Sequence, residues 1–170
     1  MLRLRNQLRK ASPMTQMDRR TAMLSLAVLF VAGLIFVGGP AVAGKPPVYS
    51  ETGKVAVKGA DVVAYFTQRR AVSGKAEHAH KWRGATWLFS SATNLAKFKA
   101  NPQKYAPQYG GYCAYAVSQG YTAKIEPEAW SIVDDKLYLN YSRSVRALWS
   151  LNKRQRIRKA DSNWPSVLDR

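Results

Sequence analysis

The chain has 170 residues, 46% hydrophobic and 11% aromatic, which is the size of one domain with enough apolar side chain for a real core. Its formal net charge is +17; residues 1–43 hold six Lys/Arg and one Asp, leaving +12 on the 127 residues that follow. One cysteine, Cys113, excludes an internal disulfide, and all four methionines (Met1, Met14, Met17, Met23) precede residue 24, which argues against a methionine-rich Cu(I) carrier in the remainder.

Residues 1–20 are polar and basic, and an uncharged run then extends from Thr21 to Gly44 around the apolar stretch MLSLAVLFVAGLIFV. Ala41-Val42-Ala43 follows, just before Gly44 and Lys45. A basic stretch, an apolar run and an A-x-A stop make up a cleavable secretory signal, expected to be helical, with the cut between Ala43 and Gly44. Arg19-Arg20 resembles the twin-arginine export signal, with the general secretory route as the alternative. The rival reading is an uncleaved inner-membrane anchor formed by residues 21–43, since about 20 apolar residues span a bilayer. A cleaved product is periplasmic or secreted.

Beyond Gly44, Lys45-Pro46-Pro47 reads as a linker and Lys54–Lys58 as a short lead-in strand, so residues 44–57 precede the domain proper. Ala60–Thr67 is a short apolar segment that fits helix or strand. Glu77–Trp82 alternates, Arg83-Gly84 is a turn and Ala85–Phe89 is β-prone, which together predict a hairpin. Ser90 or Ser91 caps a helix to about Ala100, and Pro102–Pro107 makes a single turn. Gln108–Gly120 is bracketed by glycines. Trp130–Val133, Asp134-Asp135 and Lys136–Tyr141 predict a second hairpin; Ser142 caps a helix to Leu151, and a very basic helix covers Lys153–Asn163. Hairpin, serine cap and helix thus occur twice, at 77–100 and 130–151, as a pattern-level pseudo-repeat. Without βαβ alternation the class is α+β: a small domain with two β-hairpins, each followed by a helix, plus a C-terminal helix.

The run GATWLFSSATNLAKFKANPQKYAPQYGGYCAYAVSQGYTA, followed by PEAW, KLYLNYS and NWP, resembles the exported branch of the YHS-domain family from about Lys58 to Leu168. The resemblance places a YHS-like domain at residues 58–168. The short YHS module resembles treble-clef metal-binding domains, in which paired cysteines ligate a metal, one after the strand aromatic and one at the helix start. Here Ser90 follows Phe89 and Asn94 takes the helix position, and the early cysteine is replaced near Ala64. The thiolate cluster is therefore absent. The GGYC element of the exported branch is kept, and the similarity implies redox or soft-metal chemistry at Cys113.

Cys113 follows Gly110-Gly111-Tyr112; at a helix N-terminus its thiolate would be favoured, whereas a free cysteine is otherwise a small buried hydrophobe. His78 and His80, the only histidines, share a strand face with Trp82. With Cys113 they would make a three-ligand site for Zn²⁺ or Cu²⁺ with one open position; the alternative is two solvated imidazoles. Glu126 and Glu128 flank Pro127 in a loop, and neither they nor the turn pair Asp134-Asp135 read as an acid/base pair. Lys153, Arg154, Arg156, Arg158 and Lys159 form the densest charge, on a helix whose apolar stripe is Ile157, Ala160 and Trp164. Such a patch suits an anionic membrane surface or an acidic protein, or is a solvated face. Export and the lack of any nucleic-acid motif speak against nucleic acid. The expected function is an exported binding module of unknown ligand, thiol- or metal-linked through Cys113. A thiol-dependent periplasmic redox enzyme and a cell-envelope protein held by its basic helix are the alternatives.

Overall fold

A computed structural model describes residues 44–170 apart from 52 and 53, so the signal or anchor segment and Arg19-Arg20 lie outside the described residues. The chain runs through α1 (Val62–Thr67), β1 (Lys75–Trp82), β2 (Ala85–Phe89), α2 (Ala92–Ala100) and α3 (Pro102–Tyr105). It continues through α4 (Ala114–Ser118), β3 (Glu126–Val133), β4 (Lys136–Asn140), α5 (Arg143–Leu151) and α6 (Lys153–Asn163). The two sheets are separate antiparallel hairpins, β1–β2 and β3–β4. The α+β class with two hairpins, each followed by a helix, and a C-terminal helix is what forms. Among the described residues no helix is long and apolar enough to cross a membrane.

The pseudo-repeat extends to the details of register. Every boundary from β1 to the end of α2 recurs 51 residues later, from Lys75 and Glu126 to Ala100 and Leu151. Each ladder opens with a terminal pair (Lys75 with Phe89, Glu126 with Asn140), shifts register, and resumes at Ala79 with Leu88 and at Trp130 with Leu139. Each hairpin turns on two residues of positive φ, Arg83-Gly84 (49° and 76°) and Asp134-Asp135 (50° and 56°), the left-handed pair that matches the twist of the strands. Ser91 Oγ accepts from the Asn94 N–H at 3.2 Å and Ser142 Oγ from the Val145 N–H at 3.2 Å, so both following helices start on the same cap. Asn101 and Asn152 are the residues on which the next helices begin.

The core repeats too. Phe98 packs on Trp87 with ring centroids 5.3 Å apart, and Trp149 packs on Tyr138 at 5.3 Å. All four are buried in one cluster that also takes Val62, Val63 and Tyr65 from α1 and Ala114, Ala116 and Val117 from α4. Ala60–Thr67 resolves as helix because Asp61 caps it: its carboxylate accepts from the N–H groups of Val63 and Ala64.

Two expectations about the lead-in are corrected. Lys54–Lys58 forms only isolated bridges, Val55 with Thr86 and Ala56 with Ser50, and then closes into a 3₁₀ turn at Val57–Gly59. The reason is backbone geometry, since Val57 and Lys58 both have positive φ. Nor is the segment from Gly44 a free linker. Val48, Tyr49, Ala56 and Val57 are buried, and the Lys45 N–H donates to the Leu168 carbonyl at 2.8 Å, tying the segment to the C-terminal end.

Because both repeats feed one cluster, Phe98→Ala and Trp149→Ala should be equally damaging, each costing about 3–5 kcal/mol. Urea unfolding followed by both fluorescence and circular dichroism should stay a single transition in each variant. Two separate transitions would show that the repeats fold independently.

Candidate functional site

Asp61 stands at the head of α1, fully buried, and gathers three elements. One carboxylate oxygen accepts from the N–H groups of Val63 (2.9 Å) and Ala64 (3.2 Å). The other accepts from the Ser90 N–H (2.8 Å), the Ser90 hydroxyl (2.6 Å) and the Asn94 side-chain amide (2.7 Å). Ser90 and Asn94 are the positions at which the short-module pattern has its thiolates, so the structure does bring those positions together. It does so as an Asp–Ser–Asn hydrogen-bond knot. Five donors occupy the four or so lone-pair sites of a carboxylate, which leaves no oxygen free for a cation. The sequence reading placed no weight on Asp61; an Asp before a short apolar run is the cap signature that would have found it.

Cys113 is the counterpart of Asp61 in the second repeat. It precedes α4 as Asp61 precedes α1, and its N–H donates to Ala123 O as that of Asp61 donates to Val72 O. Sγ accepts from the Tyr141 N–H at 3.3 Å, where Asp61 accepts from the Ser90 N–H, and the thiol hydrogen points to Asn140 Oδ1 at 3.9 Å. The thiol therefore does start a helix. Only 1% of Cys113 is exposed, however, and burial pushes its pKa up, against the smaller opposing pull of the backbone amides of Ala116, Tyr141 and Tyr115. The favoured thiolate expected from helix position alone does not arise, because desolvation of the anion outweighs the helix end.

The three-ligand site expected from His78, His80 and Cys113 does not assemble. Among the described residues no group of three or more His, Cys, Asp or Glu side chains stands close enough to hold a metal ion. His78 and His80 share the half-buried face of β1 with Trp82, as the strand period predicts. His80 meets Phe98 edge-on at 6.3 Å, and His78 Nε2 lies 3.5 Å from Glu77. Cys113 belongs instead to the second repeat, between α4 and the end of β4. Glu126 and Glu128 are strand residues of β3 rather than loop residues; they pair with Lys58 at 2.9 Å and Arg143 at 3.7 Å.

The basic patch also changes membership. Lys153, Arg154, Arg158 and Lys159 are exposed, but Arg156 turns inward, its guanidinium 4.5 Å from the centre of the Tyr115 ring. Ile157, Ala160 and Trp164 do face the core, as the stripe predicts.

The sequence reading missed a cleft of about 340 Å³ between the first hairpin turn, the end of α3 and the end of α6. Its walls include Trp82, Trp87, Tyr109 and Trp164, with Arg83 and Asp161 as its charged groups. The Arg83 guanidinium lies 4.6 Å over the Trp82 ring, and the Tyr109 hydroxyl donates to Asp161 at 2.9 Å. Among the described residues neither Arg83 nor Asp161 makes an ion pair. Gly110 belongs to this wall and requires its lack of side chain: its φ is +60°, and a Cβ would sit 2.0 Å from the Pro47 carbonyl oxygen. The cleft draws on residues far apart in sequence, so no local pattern announces it.

Residues 63–109 match the family model of the YHS domain, so this stretch, from α1 to the wall of the cleft, is a YHS domain. No curated protein and no solved structure matches the chain.

Two outcomes follow for the site residues. Asp61→Ala should cost about 3–5 kcal/mol, since it strands buried donors of α1, Ser90 and Asn94; denaturant midpoints measure this. Cys113 has a raised folded pKa, so its contribution to stability is full below the unfolded value of about 8.5 and is lost as pH rises toward the folded value. The urea midpoint should therefore fall between pH 7 and about 9.5, below the tyrosine range, and Cys113→Ser should remove that fall. A thiol reagent should label Cys113 only in denaturant.

Proposed function

We propose, from the YHS domain at residues 63–109 and the geometry around it, that this chain is an exported binding module that takes a small ligand in the aromatic cleft. The observation that carries the reading is the contrast between its two candidate sites. The one thiol is buried and held protonated, while the cleft is open and aromatic-walled and bears unpaired charges of both signs. Concave sites with apolar walls and a few polar groups are where small molecules bind. The part-exposed indoles of Trp82 and Trp164 suit a flat or apolar ligand body. Arg83 and Asp161 suit a ligand with groups of both charges or with several hydroxyls.

A thiol-dependent enzyme needs an accessible, acidic sulfur, which this geometry does not offer. The export half of the reading rests on residues 1–43 alone: basic head, apolar run and Ala41-Val42-Ala43.

Thermal-shift measurements with amino acids, betaines and monosaccharides test the binding half. A ligand at about 100 times its Kd stabilises by about 2.7 kcal/mol, a rise in Tm of about 5–11 °C for a chain this size. That rise should vanish in Trp82→Ala and Asp161→Asn. No response from any compound, together with rapid thiol labelling of the native protein, would favour the redox enzyme. For export, protein recovered from the periplasm should begin at Gly44; full-length protein in the membrane fraction would show an anchor instead.

A further inference from the structure

We infer that the outer face of α5, continued by the first turns of α6, docks on an anionic phospholipid surface. This reading is independent of the cleft. Ser144, Ala147, Leu148 and Leu151 lie at helical spacing along α5, and all four are exposed. Leu148 is 50% and Leu151 76% exposed, and Leu151 is the most exposed of the large hydrophobic residues described. The opposite face of the helix is packed into the core, with Trp149 fully buried. The leucines are therefore not a core stripe displaced by packing; they are a second apolar stripe without a partner.

The surroundings of that stripe give it a chemistry. From Arg143 to Ala160 the sequence holds seven Lys/Arg and no Asp or Glu. Leu151 borders one shallow surface depression with Lys153, Arg154 and Arg158, all exposed. The Arg143 side chain, 3.7 Å from Glu128, is 77% exposed at the start of the same helix. Cations alone would suit any polyanion, and leucines alone any apolar surface. Protruding leucines with long cationic side chains beside them match a bilayer interface, where the apolar tips enter the acyl boundary and the cations reach the phosphates. Arg156 is excluded from this face because it stacks on Tyr115.

The full chain with Ala147→Cys, carrying an environment-sensitive fluorophore, reports docking at this face; Cys113 is buried and does not compete for the label. Vesicles of phosphatidylcholine with about 30% phosphatidylglycerol should shift the dye to the blue, and pure phosphatidylcholine should not. About 1 M NaCl, where the Debye length is about 3 Å, should abolish the shift. Lys153→Glu with Arg154→Glu should weaken partitioning by about tenfold or more. Leu148→Ser with Leu151→Ser should weaken it by about tenfold at unchanged charge. These are exposed positions, so circular dichroism should be unaltered in both variants. An unshifted dye on anionic vesicles overturns the inference. So does an equal shift on neutral vesicles, which would make the contact purely apolar and leave the cations of this face without a role. A shift with polyglutamate and none with vesicles would make the partner an acidic protein.

Discussion

A single buried carboxylate holds the first half of this domain together. Asp61 accepts five hydrogen bonds from α1, from the residue after β2 and from α2, and it is wholly removed from solvent. An unpaired charge there would be prohibitive; one surrounded by donors is tolerated and, once in place, fixes where three elements meet. The contacts on which Phe89, Phe98 and Trp87 converge form behind this knot. The second half uses the same position for Cys113, a neutral thiol that needs fewer donors, and its Sγ accepts from the Tyr141 N–H just past β4 at 3.3 Å. The same backbone plan is thus closed once by charge-assisted hydrogen bonds and once by a packed sulfur. This explains why the one cysteine is well placed for chemistry and unsuited to it.

The cleft lies where the two halves stop matching. After α2 the chain caps on Asn101, makes the four-residue α3 and meets Pro107, which sends it into the next repeat. After α5 it turns at Asn152, whose side chain makes no cap, and runs on through the eleven residues of α6. The extra length carries Asp161 and Trp164 back over Tyr109 and Tyr112. A concavity results between a short helix that ends early and a long one that overreaches. The YHS match covers the first half up to Tyr109, so the ligand site we propose is built by a YHS domain and by the segment that departs from its plan.

Most of the local structure was legible from the sequence. Hairpin turns, both serine caps and the extents of α2, α5 and α6 follow from alternation, turn residues and cap residues, all short-range signals. The faces of β1 and α6 followed from period alone, including the shared face of His78 and His80 and the inward stripe of Ile157, Ala160 and Trp164. What period cannot supply is which side of a distant element a face meets. His78, His80 and Cys113 belong to different repeats, and Arg156 sits on Tyr115 rather than in solvent. The thiol failed for a related reason: its helix position is a local property, whereas its surroundings are set by the distant end of β4. Asp61 was overlooked because a cap and a three-element junction look the same in one dimension.

Helix α6 joins the two surfaces to which we assign function. Its first turns carry Lys153, Arg154 and Arg158 beside Leu151, and its last turn carries Asp161 and leads into Trp164. Along the axis Lys153 and Arg154 lie about 10–12 Å from Asp161, but Arg158 is only three residues before it, about 4.5 Å of rise, and i,i+3 residues are neighbours on a helix. Arg158 therefore lies within a Debye length of about 8 Å of the Asp161 carboxylate, and a phosphate surface that takes up Arg158 changes the field there. Between the ends, Ile157 and Ala160 pack in the core, so the helix is clamped along its middle. The two proposed surfaces therefore share helix α6: docking on lipid would set where the module sits and the cleft what it takes up there, with Arg158 the cation close enough to Asp161 to be felt at both.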